Sequence, residues 1–179
     1  MTIVGIDNCA TGGVVAISSW TGKIISAHPM PGMVVVRKGL PHSRCIPARL
    51  DKRFNEVDSY RLLKLLTEID SPRKIIVFFE DCPDHANQSS TMRSMAISAG
   101  RILSVLEIAG IKYERVLPRT WQPVMLGKVK KGETKAAALA RANDIWPGHD
   151  WRKTPRCTTA HDGMVDAALI AEYGRITKK

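Results

Sequence analysis

The chain has 179 residues, 44% of them hydrophobic, which suits one globular domain with a real core. Its formal net charge of +10 and pI near 9.7 favour a polyanionic partner. No apolar run approaches membrane-span length and no signal-peptide pattern opens the chain, so neither a membrane-spanning nor an exported protein is expected.

The four cysteines, Cys9, Cys45, Cys82 and Cys157, form no C-x-x-C pair and read as reduced thiols of a cytoplasmic protein. Cys157 with His161, or His42 with Cys45, offers two zinc donors, but no four-ligand set with zinc spacing accompanies either pair.

In chain order, residues 2–7 read as a buried strand, 12–17 as a second and 23–27 as a third, with Thr21-Gly22 as the turn between the last two. Short connections make this an antiparallel meander. Residues 29–53 hold four prolines and many basic side chains, and read as a long excursion with one hydrophobic piece, Met33 to Val36. A helix is expected from about Asn55, carried by Leu62, Leu66 and Ile69 and closed before Pro72. Residues 73–80 read as the next strand, apolar from Ile75 to Phe79, as in a central strand. Ser89 or Ser90 caps a long helix to Gly110, with Met92, Met95, Ala96, Ala99, Leu103 and Leu106 as its stripe. Tyr113 to Leu117 is the fifth strand. A short helical segment opens at Pro118, an alanine-rich helix spans Glu133 to Trp146, and a last helix runs from His161 to about Gly174. This order gives one α/β domain over 1–179, built on a mixed five-stranded sheet: three antiparallel strands, then parallel ones.

Four acids stand out. Asp7 and Glu80 each end an apolar run, and Asp162 and Asp166 lie four apart on one face of the last helix. Two strand-end carboxylates and a helical pair form a donor set for divalent cations in phosphodiester hydrolysis, where two ions activate water and stabilise the anionic transition state. Each acid also has a plainer reading. Asp7-Asn8 suits a strand exit as an Asx turn. Glu80 can be the first solvated residue after its strand, and Asp81 competes with it from the opposite face. Thr159-Ala160-His161-Asp162 matches a capping box, and an acid in a first turn is favoured by the helix dipole. Asp166 has no such explanation, since it borders the apolar run Ala167-Ala168-Leu169. Gly163 permits close approach of another segment. His161 is either a surface histidine, a metal ligand or a stabiliser of the leaving group.

Gly5-Ile6-Asp7 followed by Gly12-Gly13-Val14-Val15-Ala16-Ile17, then Phe78-Phe79-Glu80, then the run from His161 to Ala171, resembles the RuvC-type Holliday-junction resolvases, most of all their phage and plastid branch. The resemblance spans nearly the whole chain in matching order. It implies an RNase H-like fold, a homodimer, and Mg²⁺- or Mn²⁺-dependent paired nicking of four-way DNA junctions, with two ions per site held by Asp7, Glu80, Asp162 and Asp166. It favours Glu80 over Asp81. It also implies a bacterial cell, a phage-infected host or an organelle as the setting. This chain departs from typical bacterial members at Asn8-Cys9, where they carry Pro-Gly, and in spacing its last two acids four rather than three apart. The third ligand is therefore Asp162, with His161 as its rival. By analogy, the helix from about Ser90 to Gly110 is the candidate dimer interface.

Residues 112–156 hold eleven Lys/Arg against four acids, most of the chain's positive excess. Arg119, Lys128, Lys130, Lys131, Lys135, Arg152, Lys153 and Arg156 are the expected DNA contacts, positioning phosphates without reading sequence. The excursion adds Arg37, Lys38, Arg44, Arg49, Lys52 and Arg53. Trp121 and Phe54 are candidates for stacking on unpaired bases, with core burial the alternative. Competing functions are an RNase H-like nuclease acting on forks or flaps, a non-catalytic binder of branched DNA, and a sugar kinase or actin-like ATPase, for which the chain is too short.

Overall fold

The computed structural model describes residues 1–37, 52–81 and 89–178. Strands β1 (Thr2–Ile6), β2 (Gly13–Ser18) and β3 (Ile24–Pro29) form the expected meander. Strands β6 (Ile75–Glu80) and β7 (Lys112–Val116) continue the sheet in parallel from β1, giving the order β3-β2-β1-β6-β7. This is the mixed five-stranded sheet read from the sequence.

The excursion differs from expectation. Strands β4 (Gly32–Arg37) and β5 (Lys52–Val57) pair antiparallel as a separate two-stranded hairpin, so the segment from Asn55 is strand, not helix. Residues 38–51, with Lys38, His42, Arg44, Cys45 and Arg49, lie outside the described residues. Helix α1 (Ser59–Ile69) starts only after Asp58, whose carboxylate accepts the Arg61 backbone N–H at 3.1 Å and caps the helix. Phe54-Asn55-Glu56-Val57 has no apolar–polar alternation to mark it as strand, and the leucine periodicity beyond it dominates the local pattern. Buried Glu56 is met by Arg101 at 2.7 Å, which ties the hairpin to α2 (Ser89–Ile108).

Helices cover both faces of the sheet. On one face Val4, Ile6, Val14, Ala16, Val77 and Phe79 pack against α1 and α2. The buried stripe of α2 is Ala99, Ile102, Val105 and Leu106, rotated from the expected one, and Ala96 is exposed. On the other face Ile3, Val15, Ile17 and Phe78 pack against α3 (Pro118–Leu126), α4 (Thr134–Ile145) and α5 (Asp162–Thr177). Helix α5 is buried nearly all round, from Gly163 to Gly174, as an apolar helix crossing the middle of a sheet must be. Gly174 lies within α5 rather than ending it. A Cβ there would stand 2.3 Å from the Phe78 ring, so the glycine lets the helix lie on that ring.

Candidate active site

Strands β1 and β6 are parallel neighbours in register, with Ile6 opposite Phe79. One step further along that register, Asp7 comes beside Glu80. Side chains alternate between sheet faces. Asp7 therefore shares a face with Ile3 and Gly5, and Glu80 shares that same face with Phe78, which is the face that α5 covers. Asp81 has the opposite parity and pairs with Arg115 at 2.6 Å, whose guanidinium lies over the Phe79 ring. Of the two neighbouring acids, Glu80 is the one that faces the other carboxylates.

Glycines bring α5 down to these strand ends. A Cβ on Gly5 would lie 1.9 Å from the Ala167 carbonyl oxygen, and one on Gly163 would lie 2.5 Å from the Gly12 backbone. Helix and sheet thus meet backbone to backbone, and the first turns of α5 hang over Asp7. Asp166 adds its charge to that of Asp7 there, while Asp162, one turn earlier, lies further out.

The electrostatics record the convergence. Burial raises Asp7 to about 8, with the Glu80, Asp166 and Asp162 charges adding to the rise and the Cys9 thiol, 3.7 Å away, opposing it. Burial likewise raises Asp166 to about 7, helped by Glu80 and Asp162 and opposed by Lys135. Glu80 is raised by burial and held back by the Trp121 indole N–H, which donates to its Oε1 at 2.9 Å. Desolvation and mutual repulsion both disfavour the ionised forms. A cation among these acids would reverse both effects.

Among the described residues, no three His, Cys, Asp or Glu side chains stand close enough to hold a metal ion between them. Asp162 is drawn outward, its Oδ2 2.5 Å from Lys135 Nζ, and its side chain is half exposed. The donor set nonetheless fits a hard divalent ion: oxygen atoms only on the acids, three of them substantially buried, each destabilised as an anion.

His161 is the N-cap of α5, and its Nδ1 accepts the Met164 backbone N–H at 3.2 Å. The capping-box expectation, with Thr159 as cap, is overturned: His161 itself takes that place. A neutral imidazole accepting at Nδ1 carries its proton on Nε2. In this arrangement His161 presents an N–H donor on Nε2. Burial and nearby Lys153 lower its pKa, in keeping with the neutral form.

No protein-family model matches the sequence, and no curated protein matches it. Solved structures do match. Thermus thermophilus RuvC in complex with a Holliday-junction substrate superposes with a TM-score of 0.54 at 17% identity, covering 99% of this chain and 96% of that one. A second Thermus thermophilus RuvC structure gives 0.52 at 15% identity, over 99% and 97% of the two chains. The chain has the RuvC fold. It is an RNase H-like fold, as the resemblance implied. The resemblance to RuvC-type proteins seen in the sequence is therefore matched in three dimensions along the whole chain, while the phage and plastid branch remains a sequence-level reading.

On this RuvC fold the basic residues divide. Arg119, Lys128, Lys130, Lys131 and Arg156 are exposed. Lys135 is engaged by Asp162, and Arg152 makes a two-pronged contact with Asp150. Lys153 stands near His161. Trp121 is buried at 1% exposure, so it is a core residue and not a stacking platform; the Phe54 side chain lies outside the described residues. Cys157 bonds Thr154 rather than joining His161 as a ligand pair.

Sequence reasoning misses two neighbours of the acids. Trp121 carries no signal, because its contact with Glu80 joins a helix and a strand 41 positions apart. Cys9 does carry one, since it stands two residues from Asp7, but in a sequence a thiol is weighed for pairing and zinc before it is weighed as a hydrogen-bond partner.

Proposed function

We propose that this protein is a divalent-metal-dependent endonuclease that resolves four-way DNA junctions by paired nicking as a homodimer. The observation that carries the proposal is the meeting of Asp7, Glu80 and Asp166 at one end of a RuvC-fold sheet, each carboxyl raised by burial and, at Asp7 and Asp166, by its acidic neighbours. Asp7, Glu80, Asp162 and Asp166 would hold Mg²⁺ or Mn²⁺, two ions per site. Such ions supply an activated water and charge neutralisation at the scissile phosphate.

The chain's own groups do the rest. Trp121 fixes one oxygen of Glu80 and leaves the other to face the cluster. His161, with its proton on Nε2, is placed beside the acids to donate to a phosphate or leaving oxygen. Arg119, Lys128, Lys130, Lys131, Lys153 and Arg156 provide the positive surround for a polyanion, with Lys135 and Arg152 available once DNA competes for their acidic partners. The junction specificity is drawn from the likeness to Thermus thermophilus RuvC, whose complex holds a Holliday-junction substrate. A two-fold dimer presents two identical sites to the two symmetric cleavage points of a junction. The outward face of α2, with Ala96, Gly100 and exposed Ile108, is the proposed interface. A single domain acting in the cytoplasm completes the reading.

The test uses a labelled synthetic four-way junction, a linear duplex and a fork, each incubated with the protein and Mg²⁺. Symmetric paired nicks confined to the junction support the proposal. Equal cutting of all three would replace it with a general branched-DNA nuclease, and tight binding without cutting in either Mg²⁺ or Mn²⁺ would replace it with a binding protein.

A further inference from the structure

Asp7 leads from β1 into a tight turn, residues 7–12, that bends the chain back over the Asp7 carboxylate. The Cys9 backbone N–H donates to the Asp7 carbonyl at 3.0 Å, and the Gly12 N–H donates to the Cys9 carbonyl at 2.9 Å. Both backbone groups of Cys9 are thereby committed, and its side chain is fixed beside that of Asp7. Gly12 lets the turn close this far: a Cβ there would stand 2.2 Å from the Asp7 carbonyl oxygen and 3.0 Å from Asp7 Oδ2. Cys9 Sγ stands 3.7 Å from the same Oδ2. Two separate contacts thus set Oδ2, and not Oδ1, against the turn.

The direction of the Cys9 bond follows from its partners. A thiol has a single proton to give, and an ionised carboxylate can only accept. An ordinary thiol, with a pKa of about 8.5, keeps that proton at neutral pH. On its other side the sulfur meets Thr11, whose hydroxyl lies 3.4 Å away and whose backbone N–H, a donor only, bonds it as well. Asp7 and the Thr11 hydroxyl are the two acceptors within reach of the S–H. A bond to an ionised acceptor is roughly twice as strong as one to a neutral group. Once Asp7 is ionised, as a metal ligand must be, the S–H goes to Asp7 and Thr11 donates to the sulfur.

We infer that Cys9 is a positioning residue of the nuclease: its S–H anchors Asp7 Oδ2 against the β1–β2 turn, which presents Oδ1 to a divalent cation among the acids. The inference rests on the nuclease reading above. It gives the two strand-end acids the same construction, since Glu80 has its Oε1 held by the Trp121 N–H. A carboxylate already held in place loses less freedom when an ion arrives, and hydrogen bonds to ligating carboxylates tune the affinity of a metal site. A thiol is a weak donor, so the effect is smaller than that of an indole.

The test compares Cys9→Ala, which deletes the donor, with Cys9→Ser, which keeps one. In Cys9→Ala the Mg²⁺ concentration for half-maximal junction cleavage should rise by about three- to tenfold, the range of one hydrogen bond, with the rate at saturating Mg²⁺ within about twofold of wild type. Cys9→Ser should bring the Mg²⁺ requirement back to within about twofold of wild type. A packing role for the sulfur would instead make serine behave as alanine does. The second readout needs neither DNA nor cleavage. The Raman S–H stretching band of Cys9, isolated as wild type minus Cys9→Ala in saturating Mg²⁺, should lie below the band of the remaining thiols, and Asp7→Asn should move it up. An undisplaced S–H band, an unchanged Mg²⁺ requirement in Cys9→Ala, or a Cys9→Ser variant as impaired as Cys9→Ala would each overturn this inference alone, in a protein that still cuts junctions. A wild-type protein that neither binds nor cuts any DNA overturns the nuclease reading and this inference with it.

Discussion

The Trp121 indole N–H donates to Glu80 Oε1 at 2.9 Å, joining the start of α3 to the end of the central strand β6. Trp121 is fully buried, so the donor cannot swing away and Glu80 has one oxygen committed before any ion arrives. Replacing Trp121 with Phe keeps most of the packing and removes the N–H. A hydrogen bond to a charged group contributes about 1.5–3 kcal/mol. The Mg²⁺ concentration for half-maximal cleavage should therefore rise by about tenfold or more, with the circular-dichroism spectrum unchanged. An unchanged Mg²⁺ dependence would show that the bond does not orient Glu80 for metal.

Asp7→Asn preserves the shape of the site and every basic side chain while removing the most buried anionic donor. Cleavage of a four-way junction should vanish, with the junction Kd in gel shift unchanged or tighter. Full activity in this variant would remove Asp7 from the site.

Acidity carries a signature in the metal-free protein. The folded-state pKa values of Asp7, about 8, and Asp166, about 7, lie above the ordinary 3.8 of the unfolded chain. The folded state then binds more protons than the unfolded one between those limits, so stability falls as pH rises. The melting temperature in EDTA should decline from about pH 5 to about pH 8 and level off above. Asp7→Asn should flatten much of that decline, and Mg²⁺ at pH 8 should raise the melting temperature of the wild-type protein more than that of the variant. A metal-free protein that grows more stable toward pH 8 would contradict the burial of these carboxyls.

Lys135 competes with any cation for Asp162. Both side chains are largely exposed, so the pair adds only about 0–1 kcal/mol to stability. Lys135→Met should leave the melting temperature within about 2 °C, while Mg²⁺ titrated against thermal stability should act at lower concentration. A higher Mg²⁺ requirement would mean that Lys135 helps to build the site rather than to occupy it.

Gly163→Ala sets two effects against each other. Alanine favours a helix over glycine by about 1 kcal/mol. The new methyl group, however, would stand 2.5 Å from the Gly12 backbone, which cannot rotate out of the way. Overpacking of this kind costs about 1–3 kcal/mol, so urea unfolding should show a net loss of stability, and activity should fall as α5 is lifted from Asp7. A stabilised, active variant would mean that helix and strand end are not in contact.

The order of the five sheet strands and of the helices beside them, the two apolar strands ending in Asp7 and Glu80, and the helical pair Asp162 and Asp166 are legible along the chain, because each depends on residues a few positions apart. Alternation even implies that Glu80 and Asp81 point opposite ways. Which of them looks at Asp7 is decided by tertiary structure: β1 and β6 lie side by side in parallel, and α5 covers the face of Ile3 and Phe78 rather than that of Ile6 and Phe79. No local pattern encodes which face a distant helix will choose. The β4–β5 hairpin reads as loop and helix for the same reason, since strand pairing between segments fifteen or more positions apart leaves only a faint local trace. Trp121 at Glu80, His161 as the cap of its own helix and Lys135 on Asp162 belong to this second class. Covalent neighbours and periodicity set the chemistry that the chain carries, whereas the close backbone contacts at Gly5, Gly12 and Gly163 set where that chemistry meets.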